Sequence, residues 1–158
     1  MSETRSPIRR NEAVCLALYS TMNATLQLYR DLLSPWSLSY QQLMVLGLLW
    51  SEGEQTPGEI SAALLLDTSS VAGLLRRMQE AGLIERETSS TDRRRVRVTP
   101  TARSREIIAE LGWLEGCMTE AIDLEPDEAH DLVTRLNDLR ARVTAFPRPE
   151  HVRTGIPA

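Results

Sequence analysis

Residues 66 to 99, LDTSSVAGLLRRMQEAGLIERETSSTDRRRVRVT, change hydrophobic period once, and that change decides the fold. Val71, Leu74, Leu75 and Met78 recur at the helical spacing of three and four. Asp67, Thr68, Ser69 and Ser70 offer N-cap oxygens ahead of them, and Gly82 is well placed to end the helix. Beyond Gly82 the period falls to two. Residues 83–88 and 95–99, with Val96 and Val98 on one face and Arg95 and Arg97 on the other, flank a polar tip at 89–93 and read as a β-hairpin. Upstream, Thr56-Pro57-Gly58-Glu59 supplies an N-cap threonine, a proline at the first helical position and a glutamate that returns the cap, for a short helix to about Leu64. Short helix, tight turn, second helix and hairpin make a winged helix-turn-helix.

Longer helical patterns flank this module. Apolar or aromatic residues at 15, 18, 22, 26, 29 and 33 predict a helix over 12–33, before Ser34-Pro35. Ser39-Tyr40-Gln41-Gln42 reads as a capping box for a strongly apolar helix through Leu43, Val45, Leu46, Leu49 and Trp50 to near Gly53. Thr99-Pro100 is expected to cap a fifth helix reaching about Ala121, with Ile107, Ile108, Leu111, Leu114 and Met118. Glu125-Pro126-Asp127 starts a sixth, with Leu132, Val133, Leu136, Leu139 and Val143 on one face. The proline-rich tail from Pro147 is expected to fray. The expected fold class is mainly α with a small β-hairpin, one domain over 1–158 with the winged module at 39–99.

The 158 residues are enough for one real core, and 42% apolar with 25% charged residues is an ordinary globular balance. Aromatics make up only 4%, so the core must be aliphatic. No apolar run approaches the roughly 18 residues of a membrane span, and the polar start lacks a signal-peptide segment, so a cytoplasmic protein without membrane contact is expected. Two cysteines and two distant histidines form no zinc pattern, and nothing calls for a metal or other cofactor.

Charge is unevenly spread. All 18 cationic residues are arginine, and residues 76 to 105 hold nine of them against four acids, although the whole chain carries −4. A basic module in an acidic chain is the footprint of a polyanion-binding surface. A helix of side-chain width fits the major groove of double-stranded DNA, and a hairpin tip reaches the neighbouring minor groove. Thr68, Ser69 and Ser70 place hydroxyls and free amides at the start of the reading helix, with Arg76 and Arg77 further along it. At the wing tip Arg93, with Arg94 and Arg95 just after it, suits a groove of negative potential, while Asp92 suits bonding to the arginine fork or the turn backbone.

Cys15 has Tyr19 at i+4 on its own helix face. Tyr29 lies at nearly the same angle but about 21 Å farther along, so it cannot touch Cys15 of its own helix. If two copies cross antiparallel near Met22, each cysteine meets the other subunit's Tyr29. Phenol hydroxyls donating to a thiolate would favour it. The plain alternative makes Cys15 a small apolar filler between Val14 and Leu18.

From Leu38 to about Arg105, "LSYQQLMVLGLLW" and the 66–99 stretch together resemble the multiple-antibiotic-resistance regulator (MarR) family, dimeric winged-helix transcription factors of bacteria. The wing pattern D-x-R falls on Asp92 and Arg94; Pro100 stands where a leucine is usual and Ser104 where a glycine is. With "VCLALYS" and Tyr29 added, residues 13 to about 105 look like the organic-hydroperoxide-resistance branch, whose repressors sense peroxide through an N-terminal cysteine. That resemblance implies dimerisation helices at 12–33 and 100–146, a pseudo-palindromic operator, a reactive Cys15, supporting tyrosines at Tyr19 and Tyr29, and a further one at Tyr40. Cys117 resembles the second cysteine of a subgroup that closes an intersubunit disulfide. A rival reading keeps the fold and replaces peroxide by a small aromatic or anionic ligand, with Trp36, Trp50 and Trp113 as candidate lining. A thiol enzyme is disfavoured, because His130 and His151 supply no convincing base for Cys15, and an interaction module that has lost DNA binding fits poorly with the arginine-rich wing.

Overall fold

A computed structural model describes residues 8–88 and 96–147. Helix α1, Ile8–Leu33, leads through a 3-10 turn, Ser34–Trp36, into α2, Tyr40–Ser51. Then come α3, Pro57–Leu64, and α4, Thr68–Glu80, followed by strands β1, Ile84–Thr88, and β2, Val96–Pro100. Helix α5, Ala102–Glu110, a 3-10 turn, Leu111–Trp113, α6, Leu114–Ile122, and α7, Pro126–Ala145, complete the chain. It divides into two compact units, Met1–Gly112 and Trp113–Ala158.

The starts of α2, α3 and α7 are written into the sequence as reciprocal caps. Ser39 with Gln42, Thr56 with Glu59 and Glu125 with Glu128 each satisfy amides that the first helical turn leaves unpaired. Gly82 adopts φ +68° just past α4 and turns the chain into β1. The strands pair antiparallel with Ile84 opposite Pro100 and Thr88 opposite Val96. Residue 55 adds a third edge, its amide donating to the Val98 carbonyl at 3.1 Å and its carbonyl accepting from the Val98 amide at 2.8 Å.

The core of the first unit is aliphatic. Val45, Leu46 and Leu49 of α2, Ile60 of α3, Val71, Leu74, Leu75 and Met78 of α4, and Leu83, Ile84 and Val98 are all buried. Each such side chain contributes roughly 1.5 to 3 kcal/mol by leaving water, so this cluster fixes where α4 stands.

Two expectations need correction. The fifth helix over 100–121 is two helices, because Gly112, a poor helix former, sits in a 3-10 turn at Leu111–Trp113. Its cap is Thr101 rather than Thr99, since Thr99 and Pro100 extend β2. The Thr101 hydroxyl donates to the Gly82 carbonyl at 2.7 Å and accepts from the Ser104 amide at 3.2 Å. Ser104, fully buried, donates its hydroxyl to the Thr101 carbonyl at 2.9 Å, so the unusual serine is hydrogen-bonded.

Candidate nucleic-acid interface and sensory elements

Helix α4 buries Val71, Leu74, Leu75 and Met78 and thereby exposes Thr68, Ser69, Ser70, Arg76 and Arg77. Its N-cap is a hydrogen-bonded cluster. One oxygen of Asp67 accepts from the Ser69 hydroxyl at 2.5 Å and the Ser70 amide at 2.8 Å, and the other accepts from the Ser70 hydroxyl at 2.6 Å. These donors hold the Asp67 carboxyl well below the usual carboxylate range, the Ser69 hydroxyl first among them. The Ser69 and Ser70 hydroxyls therefore have their protons committed to Asp67 and keep only acceptor capacity for another partner. The sequence offered Asp67 only as a cap; its i+2 and i+3 serines were the signal for the rest.

Arg76 reaches Glu80 one turn on at 4.0 Å, both largely exposed. At the stem of the hairpin Arg97 is ion-paired with Glu54, which ties β2 to the segment leading into α3. Asp92, Arg93, Arg94 and Arg95 lie outside the described residues.

Cys15 is exposed on α1, beside the exposed Val14, Leu16, Leu18, Tyr19 and Met22. Tyr29 stacks instead on Tyr40 of α2, ring centres 4.5 Å apart and planes at 42°. Burial, then the neighbouring Tyr40, pushes the Tyr29 hydroxyl above its ordinary pKa. Of the three expected tyrosines, Tyr19 thus stays one turn from Cys15 on α1, while Tyr29 packs on Tyr40. Cys117 is half-buried on α6, in the second unit.

A cleft of about 710 Å³ opens in the first unit where α1, α2, α3 and α4 meet. Met22, Leu26, Tyr40, Met44 and Leu74 give it apolar walls, and Arg30 and Arg77 are its two cations. Arg77, expected only on DNA, therefore also borders a ligand-sized space. None of the three tryptophans lines it: Trp36 donates its indole N–H to Glu110 at 2.7 Å, Trp50 borders a shallower hollow with Pro100 and Arg105, and Trp113 lies in the other unit. Among the described residues no cluster of His, Cys, Asp or Glu could hold a metal, and no single helix is long and apolar enough to cross a membrane.

Residues 36–95 match the MarR family. The HTH-type transcriptional regulator MgrA of Staphylococcus aureus is 33% identical over 122 residues, 77% of this chain and 83% of that protein. The chain belongs to the MarR family. Like those relatives it is a DNA-binding transcriptional regulator with the winged helix-turn-helix fold. The fold is shared with reduced AbfR bound to DNA, from Staphylococcus epidermidis, at TM-score 0.70 and 24% identity over 87% of this chain and 97% of that one. It is shared equally with BpsR of Bordetella bronchiseptica, whose DNA binding is regulated by 6-hydroxynicotinic acid, at TM-score 0.72 and 22% identity over 80% and 92%.

Proposed function

We propose that this MarR-family protein is a cytoplasmic, homodimeric repressor released from a pseudo-palindromic operator when an organic hydroperoxide oxidises Cys15. The observation that carries this reading is the exposed Cys15 beside Tyr19, on an α1 face whose apolar side chains the chain itself leaves uncovered. A second copy crossing near Met22 covers that face and brings its own Tyr29–Tyr40 pair toward the sulfur, as a two-fold contact requires. The thiolate attacks the peroxide, taking one oxygen as sulfenic acid while the alcohol leaves. Cys117 of the partner subunit then attacks that sulfur, forming the disulfide and expelling water. Because α1 belongs to the proposed interface, the new bond shifts the spacing of the two α4 helices, which must stand about one DNA turn apart, 34 to 36 Å.

Fluorescence anisotropy on the protein's own upstream DNA at fixed salt tests this. A stoichiometric organic hydroperoxide should weaken wild-type binding a few hundredfold, about 3 to 4 kcal/mol, and thiol reduction should restore it. Cys15→Ser should stay bound throughout. A non-reducing gel reports the bond to Cys117, which Cys117→Ser should abolish.

The cleft favours a second reading. An aromatic carboxylate fits its apolar walls and the Arg30–Arg77 pair, and BpsR is regulated by a ligand of that chemistry. Wild-type binding indifferent to peroxide but weakened by 6-hydroxynicotinate, with the effect lost in Arg30→Ala, would put the ligand first.

A further inference from the structure

The turn between α3 and α4 carries an unexplained residue. Leu65 closes α3 at φ 54° and ψ 37°, in the left-handed region where a side chain crowds its own carbonyl. Two other non-glycine residues among those described have positive φ, Ser37 and Asp123; the latter is of a type that tolerates it. Leu65 is branched, apolar and 65% exposed, while its neighbours Leu64 and Leu66 turn inward to line the cleft. The turn is firmly built. The Leu66 amide donates to the Ser61 carbonyl at 3.1 Å, and the Ser61 hydroxyl donates to the Leu66 carbonyl at 2.6 Å. Leu65 therefore accepts both backbone strain and exposure in a rigid turn that glycine or asparagine would make more easily, and with 65% of its surface exposed it gains little burial in return.

Its place in the fold says what would compensate. Leu65 stands three residues before Thr68, at the end of α4 that enters the major groove in a helix-turn-helix. The apolar group displayed there by DNA is the thymine C5-methyl, and leucine is chemically suited to cover it. We propose that Leu65 is a specificity-determining residue that reads a thymine methyl at the edge of each half-site. The inference rests on the DNA-binding assignment, and it adds an apolar contact to an interface otherwise made of arginines and hydroxyls.

The test replaces operator thymines one at a time by deoxyuridine, which removes only the methyl, and measures affinity by anisotropy for wild type, Leu65→Gly and Leu65→Asn. Wild type should lose about fourfold at one thymine per half-site, the equivalent of one unburied methyl group. Both variants should bind the thymine operator about tenfold more weakly and show no further loss on deoxyuridine. They should also melt about 2 to 4 °C higher, because the left-handed strain is relieved. A side chain kept for stability alone would lower the melting temperature instead. A flat deoxyuridine scan in wild type, or variants that bind as tightly as wild type, overturns the proposal. A wild-type protein that binds no DNA sinks the underlying assignment first.

Discussion

The winged module and the long helices treat apolar residues in opposite ways. In the module, α4 buries Val71, Leu74, Leu75 and Met78 against the core of its own chain. Helix α7 is 20 residues long with no buried residue; it leaves Leu132, Val133, Leu136 and Val143 exposed, and Phe146 just beyond it is exposed too. Helix α1 likewise exposes Val14, Leu16, Leu18 and Met22. A helix in a protein draws most of its stability from burying an apolar stripe against its neighbours, so the module is finished within one chain and these helices are not. The winged module has its geometry from its own sequence, whereas in the proposed homodimer the spacing of two such modules would depend on what covers the long helices. Under that proposal, a signal acting at the cover would change the spacing without disturbing α4.

Core truncation should give the largest effect. Leu75→Ala, at a fully buried position, should cost about 2 to 5 kcal/mol in urea denaturation, with the module's near-ultraviolet signal and operator binding lost in one transition. A cost below about 1 kcal/mol would mean that the module is not the finished half. Val133→Glu with Leu136→Glu places charge on the exposed face of α7 instead. Far-ultraviolet circular dichroism should be retained, sedimentation should show monomers at micromolar concentration, and operator affinity should fall at least about a hundredfold as one half-site is released. An intact dimer would show that this face is not the cover. Smaller again, Arg94→Ala should weaken binding severalfold and flatten the salt dependence by about one ion.

What could be read in the sequence follows from how local each signal is. The starts of α2, α3 and α7 are set by residues three apart, so the chain announces them without its fold. The Thr101 cap is different: two threonines flank Pro100, and the choice falls to Thr101 through its bond to the Gly82 carbonyl, a contact across 19 residues. The break at Leu111–Trp113 was hidden because apolar residues at 107, 108, 111, 114 and 118 keep helical spacing straight through it. Of the candidate site, α4 and its exposed polar face were legible. The cleft was not, since it needs four helices packed together, and the tryptophans offered as its lining stand elsewhere.

The subtlest prediction concerns Asp67, the N-cap of α4. Its carboxyl is held below its unfolded pKa by the Ser69 and Ser70 hydroxyls and the Ser70 amide, all of which favour the ionised form. A depressed folded pKa means that the unfolded chain binds the proton more readily. The stabilisation is therefore complete above the ordinary value of 3.8 and erodes as pH falls below it toward the folded value. Asn can still cap the helix but carries no charge to titrate. The stability difference between wild type and Asp67→Asn, measured by urea denaturation, should be flat from pH 7 to pH 5 and shrink steadily below pH 4. A difference constant down to pH 3 would show that the carboxylate is not what holds the serines, and their hydroxyl protons would then be free for another acceptor.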